Sequence, residues 1–123
     1  MQNRILVIDD DEMVLSSLDS FLTEEQYIVH TIDKSELIDQ AIAKFDPELI
    51  VLDIRLDNSD GRLICDELKS NVNTAHIPIV LLTALSYEEI SLIDCQADAI
   101  IGKPFESSSL LFTIIELIRQ SQA

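Results

Sequence analysis

The sequence predicts an α/β fold: a doubly wound, five-stranded parallel sheet with helices on both faces. Two observations predict it. Short apolar runs rich in β-branched residues alternate with amphipathic stretches of helical period along the whole chain. Each of the five runs is followed by such a stretch, the pattern of right-handed crossovers in one parallel sheet. The chain of 123 residues, 47% of them hydrophobic, is the length of one domain, with enough apolar side chain for its own core. Residues 1–123 read as a single domain with a core over about 3–119 and a polar tail at 120–123.

The elements follow in order. Ile5-Leu6-Val7-Ile8 is too short for a helix and reads as a buried strand. From Asp11 onward, Val14, Leu15, Leu18, Phe21 and Leu22 recur at helical spacing, with Asp19, Glu24 and Glu25 on the wet side. Tyr27 to Ile32 forms a second, weaker strand. Asp33 with Glu36 resembles a capping box, opening a helix through Leu37, Ile38, Ala41, Ile42 and Phe45. After Pro47, Leu49-Ile50-Val51-Leu52 is the third strand. A loop ending in Gly61 leads to a short helix through Leu63, Ile64, Cys65 and Leu68. Ile77 to Leu82 is the fourth strand, and Ser86 with Glu89 caps a helix to about Cys95. Ala99-Ile100-Ile101 is the fifth strand, and a serine among Ser107, Ser108 and Ser109 caps a last helix from Leu110 to about Arg119.

Composition excludes several functions. Only 2 Gly and 3 Pro argue against a linker or a loop-dominated fold. With 8 Lys and Arg against 23 Asp and Glu, a net charge of -15 opposes direct binding to nucleic acid or an anionic membrane. Cys65 and Cys95 are too few for a disulfide scaffold and lack a Cys/His metal set, so they read as small buried hydrophobes in a reducing cytosol. The apolar run after Arg4 is too short for a signal or membrane segment, so the expected location is cytoplasmic.

Such sheets bind ligands at the carboxyl ends of their strands. There the first strand ends in Asp9-Asp10-Asp11, the third in Asp53, the fourth in Thr83-Ala84 and the fifth in Lys103-Pro104. Carboxylates about 5 Å apart repel by on the order of 3 kcal/mol per pair at an effective dielectric near 20. Either they take up protons or a cation neutralises them. Hard oxygen ligands with space for water suit Mg²⁺, for which Mn²⁺ could stand in. A lysine, a hydroxyl and the backbone N–H after Thr83 suit the oxygens of a phosphoryl group. Together they describe acyl-phosphate chemistry with Asp53 as nucleophile and Lys103 stabilising charge. Asp11 sits where the first helix begins and reads as its cap.

Four pieces, Ile5 to Glu12, Leu52 to Leu56 with Asp60-Gly61, Leu82-Thr83-Ala84 and Lys103-Pro104-Phe105, resemble the receiver domain of two-component response regulators across essentially the whole chain. The resemblance implies a flavodoxin-like fold with strand order 2-1-3-4-5. It implies that Asp53 accepts phosphate from the phosphohistidine of a sensor histidine kinase or histidine phosphotransfer protein. Asp10, Asp53 and the Arg55 carbonyl would ligate Mg²⁺ directly, and Asp9 largely through water. Thr83 and the Ala84 N–H would hold phosphate oxygens, Lys103 would pair with the phosphate, and the Lys103–Pro104 peptide would be cis. The domain would act as a switch on a downstream effector protein or output domain, with autodephosphorylation its only chemistry.

The sequence departs from the family pattern in places. Ile100 stands where an aromatic usually reports the threonine's position, and reads as a plain strand residue. Asp57 replaces a common proline and reads as a solvated turn residue. Gln96 replaces a glycine that commonly ends the fourth helix. The Arg55 side chain either lies over Asp53 or points to solvent. From Leu110 to Ile118 only Thr113 and Glu116 are polar, so the last helix is either deeply tucked or offers Leu111, Phe112 and Ile115 to a partner, as in a homodimer through the face of the fourth and fifth helices and the fifth strand. His30 and His76 lie away from the rim, so the phosphoryl donor comes from outside. Two other readings compete: a small phosphatase like the haloacid dehalogenases with Asp9 as nucleophile, and an unphosphorylated docking module. The Met1 start and short tail favour a stand-alone regulator over the amino-terminal part of a longer one.

Overall fold

A computed structural model describes residues 3–56, 59–84 and 95–122. Five strands form one parallel sheet: β1 (Arg4–Ile8), β2 (Ile28–Ile32), β3 (Leu49–Asp53), β4 (Ile79–Thr83) and β5 (Ala99–Gly102). Their spatial order is β2-β1-β3-β4-β5, every pairing parallel, so the chain reverses its winding direction between β1 and β3. The helices are α1 (Glu12–Glu24), α2 (Ile38–Phe45), α3 (Gly61–Ser70) and the last helix (Ser107–Ser121). A two-residue antiparallel hairpin, Arg55–Leu56 with Ser59–Asp60, sits between β3 and α3. The expected helix from Ser86 lies outside the described residues, as does Asp57.

Side-chain alternation along the strands divides the interior in two. Leu6, Ile8, Ile50, Leu52, Ile79 and Leu81 face α2 and α3, where Ile38, Ala41, Cys65 and Leu68 cover them. Ile5, Val7, Leu49, Val51, Val80 and Leu82 face the opposite way, under Leu18 and Leu22 of α1 and Leu110, Ile114 and Ile118 of the last helix. Burying each of these Leu, Ile and Val side chains contributes roughly 1.5–3 kcal/mol. β3 and β4 are buried along their whole length, which is why both read as unbroken apolar runs.

Several boundaries differ from the sequence reading for local reasons. Lys34 precedes a single 3-10 turn (Ser35–Leu37) before α2, and no side chain caps either element. The Asp33/Glu36 capping box is therefore not formed; instead Ser35 Oγ pairs with Ser59 Oγ at 3.0 Å. The last helix starts earlier than expected, with Glu106 at its cap position and all three serines inside its first turn. The Ser108 and Ser109 hydroxyls donate to the Glu106 carboxylate instead of closing the helix end. That helix continues through Gln120 and Ser121, which belong to it and not to a tail. β4 starts at Ile79 because Pro78 has no N–H to give, although its carbonyl accepts from Ile50 at 3.0 Å. α2 stops at Asp46, whose left-handed backbone (φ 53°) ends the helix just before Pro47.

Candidate functional site

The strand ends converge as parallel topology requires. Asp9 follows β1, its N–H still bonded to the Ile32 carbonyl at 3.2 Å, and its side chain is fully buried. Asp10 is exposed beside it. Asp11 caps α1, accepting the Met13 N–H at 2.9 Å, as its position implied. Asp53 closes β3, and Thr83 closes β4; both are buried. Ala84 is exposed. The Lys103 N–H donates to the Thr83 carbonyl at 2.6 Å, tying the tip of β5 to that of β4.

These side chains line one cleft of about 330 Å³: Asp9, Asp10, Asp53, Arg55, Thr83, Ala84 and Lys103, joined by Asp11. All seven residues singled out from the sequence thus meet in one place. Lys103 Nζ lies 2.9 Å from Asp9 Oδ2 and 3.3 Å from Asp53 Oδ1. The Asp11 N–H holds the other Asp9 oxygen at 3.0 Å. The Lys103–Pro104 peptide bond is cis.

The electrostatics are those of crowded, buried acids. Burial, and then the Asp9 charge, push the Asp53 carboxyl up to about 6, although Lys103 and the Arg55 N–H pull the other way. Burial alone would lower the Lys103 pKa, but the Asp9 and Asp53 carboxylates outweigh it and hold the ammonium above its ordinary value. One oxygen from each of Asp9, Asp10 and Asp53 lies within 4.8 Å of the others. Three carboxylates against one ammonium leave an excess of two negative charges, and all the side-chain donors are hard oxygens. The set fits a divalent cation of the Mg²⁺ kind.

Behind the cleft, Gly61 opens α3 hard against the main chain of Asp53. A Cβ there would stand 2.3 Å from the Asp53 carbonyl oxygen and 2.9 Å from Ile54 Cα. The Gly61 N–H donates to the Ile54 carbonyl at 2.6 Å. Sequence reading placed Gly61 at the end of a loop; it is the first residue of a helix. An acid immediately before it was the available signal, since Asp60 caps α3 and also binds the Arg62 guanidinium at 2.7 Å.

This geometry has close counterparts. Residues 5–115 match the family described as response regulator receiver domain. The chain belongs to that family. The receiver is 32% identical over 120 residues to the transcriptional regulatory protein GltR of Pseudomonas aeruginosa, covering 96% of this chain and 50% of that protein. It is 34% identical over 121 residues to the response regulator PleD of Caulobacter vibrioides, covering 97% of this chain and 27% of PleD. The crystal structure of a response regulator receiver domain protein from Methanospirillum hungatei superposes with a TM-score of 0.87 at 25% identity, covering 99% of this chain and 98% of that one. The receiver therefore spans half or less of the two curated relatives.

The departures from the family pattern also have places in the fold. Ile100 is half-buried, pairs with Leu81 across the sheet and packs on the α3 side of the core. Gln96 is not left-handed, and its N–H donates to Asp66 Oδ1 at 2.9 Å. Arg55 is exposed. His30 is exposed and packs against Phe45 with ring centroids 5.4 Å apart and planes tilted by 40°, away from the cleft. No helix among the described residues is long and apolar enough to cross a membrane.

Proposed function

We propose that this receiver is a cytoplasmic phosphoacceptor switch in a two-component relay, with Asp53 as the residue phosphorylated. The single observation that carries the reading is the position of Asp53, clustered with the carboxylates of Asp9 and Asp10 and 3.3 Å from the ammonium of Lys103 in a cleft also lined by Thr83. A sensor histidine kinase or histidine phosphotransfer protein supplies the phosphohistidine. An Asp53 oxygen attacks phosphorus, the phosphorus–nitrogen bond breaks, and the imidazole leaves with a proton. Asp10, Asp53 and the Arg55 carbonyl would hold Mg²⁺, with Asp9 reached through water; when bound, the ion neutralises charge on the carboxylates and phosphoryl oxygens. Lys103 exchanges its carboxylate partners for the phosphoryl oxygens, while Thr83 and the Ala84 N–H bond the remaining ones.

Asp9 is a poor nucleophile in this setting, since the Asp11 N–H and Lys103 each engage one of its oxygens. That favours the switch over a phosphatase using Asp9. The phosphorylated surface then changes its affinity for an effector protein or output domain, the only further chemistry being hydrolysis of the acyl phosphate.

The test is incubation with acetyl phosphate and Mg²⁺, read by intact-mass spectrometry and peptide mapping. One phosphoryl group is expected on Asp53, and none in the Asp53→Asn variant. Labelling that persists in that variant, or falls on Asp9 with rapid turnover of phosphomonoesters, would overturn the proposal.

A further inference from the structure

The only two cysteines of the chain take no part in the carboxylate cleft, yet the fold brings them to one seam. Cys65 lies fully buried on the inner face of α3. Cys95 is half-buried and packs against the same apolar cluster. Their chain neighbours are joined directly, the Gln96 N–H donating to Asp66 Oδ1 at 2.9 Å. One turn further along α3, Lys69 Nζ meets Asp98 Oδ2 at 2.8 Å, and that same oxygen accepts the Ile79 N–H at 2.8 Å. Positions 66 and 69 of α3 therefore grip positions 96 and 98 of the segment leading into β5. Positions 65 and 95 immediately precede the first pair of that grip in the chain, and both side chains pack in one apolar cluster.

The electrical surroundings agree with this placement. A charge on Cys95 raises the proton affinity of Cys65. Burial first, and then Cys95, push the Cys65 thiol up to about 12. The two thiols thus differ in access: Cys95 is the half-buried, reachable one, and Cys65 is the sheltered one that can only act on something already attached to Cys95.

We propose that Cys65 and Cys95 form a reversible redox pair whose disulfide fastens α3 to the segment preceding β5. The oxidant is a small-molecule disulfide such as glutathione disulfide. The Cys95 thiolate attacks one of its sulfurs, releasing one glutathione thiolate and leaving a mixed disulfide on Cys95. Cys65, giving up its proton to the released thiolate, then attacks the Cys95 sulfur and expels the second glutathione. Two protein thiols are oxidised, and one glutathione disulfide is reduced to two glutathione molecules. The bond links the helix that begins against the Asp53 main chain to the segment leading into β5, whose last residue, Gly102, precedes Lys103, enclosing the stretch that carries Thr83.

The test uses the full chain in its native state, with circular dichroism recorded before and after treatment. After incubation with glutathione disulfide, alkylation in denaturant and peptide mapping, wild type should yield a linked Cys65–Cys95 peptide and lose both alkylatable thiols together, reversibly with dithiothreitol. The Cys65→Ser variant should accumulate a stable glutathione adduct on Cys95, and Cys95→Ser should gain no adduct while folded. A disulfide needs Cβ atoms about 3.5–4.5 Å apart, so crosslinking of the folded chain reports that the seam closes to that range. The oxidised protein should also melt several degrees higher. A mixed disulfide on wild-type Cys95 that never resolves, a crosslink seen only in denaturant, or links only between molecules would each overturn the proposal.

Discussion

Asp53 shows how far a single residue can be read from its position in the chain. An acid after an apolar strand marks it as a strand-end carboxylate, but not the degree to which it resists ionising. That depends on burial and on Asp9, which lies far away in sequence and meets it only through the β1–β3 pairing. The consequence is a definite pH dependence. Because the folded carboxyl sits at about 6 and the ordinary value is 3.8, the folded state keeps a proton that the unfolded chain has already lost. Asp53 therefore costs stability in full above pH 6, and the cost fades as pH falls from there toward 3.8. The displacement corresponds to roughly 3 kcal/mol at most. In chelator, Asp53→Asn should be more stable than wild type at pH 8, and the gap should narrow below pH 6, as measured by urea unfolding. A gap that does not vary with pH would remove burial as the cause. The Lys103 contacts to Asp9 and Asp53 were legible only in outline: strand-end position put the lysine at the rim, while its pairing with both carboxylates is a fact of geometry.

At the scale of elements, the strands were the most legible part, because a strand covered on both faces must be apolar throughout. Helix starts were the least legible. Asp33 with Glu36, and the serine run at Ser107, carry capping residues in the right spacing, yet neither caps. In one case a 3-10 turn comes first, and in the other Glu106 takes up the serine hydroxyls. Local chemistry offered more than one solution, and the packing of the chain chose between them. Gly61 was visible in the sequence but its reason was not, since that reason is the main chain of β3 lying against it. Gly61→Ala should cost about 1–3 kcal/mol through overpacking, because both colliding groups are backbone. It should also slow phosphorylation by acetyl phosphate, since the displaced atoms carry Asp53. Unchanged unfolding and phosphorylation rates would show that α3 shifts freely.

For the molecule as a whole, the acidic balance and the three clustered carboxylates bear on the same measurement. Binding of Mg²⁺ to the folded state alone should raise the melting temperature, by an amount equivalent to about 2.7 kcal/mol at a hundred times the dissociation constant. Calorimetry across a Mg²⁺ titration checks this, with Asp10→Asn as the variant expected to lose the response; an unchanged wild-type melting point would argue against the metal site. The last helix buries Leu110, Ile114 and Ile118 but leaves Phe112 66% and Ile115 46% exposed. One side of the helix is thus deeply tucked, while Phe112 and Ile115 stay in solvent on the other. If the outward side is the contact surface of a homodimer, the beryllofluoride-treated protein should sediment as a dimer and the Phe112→Glu, Ile115→Glu double variant as a monomer. A monomer in both would leave that side to a different partner.

The two-sided interior makes the cleft sensitive to parity. Along each strand, odd and even positions belong to different compartments, so the count of residues between a loop and a strand tip decides which way every side chain looks. Deleting one residue within β3 would do more than shorten it. It would exchange the contents of the two compartments beyond the deletion and turn the strand's terminal carboxylate away from Lys103, dismantling the cleft without touching any residue that lines it.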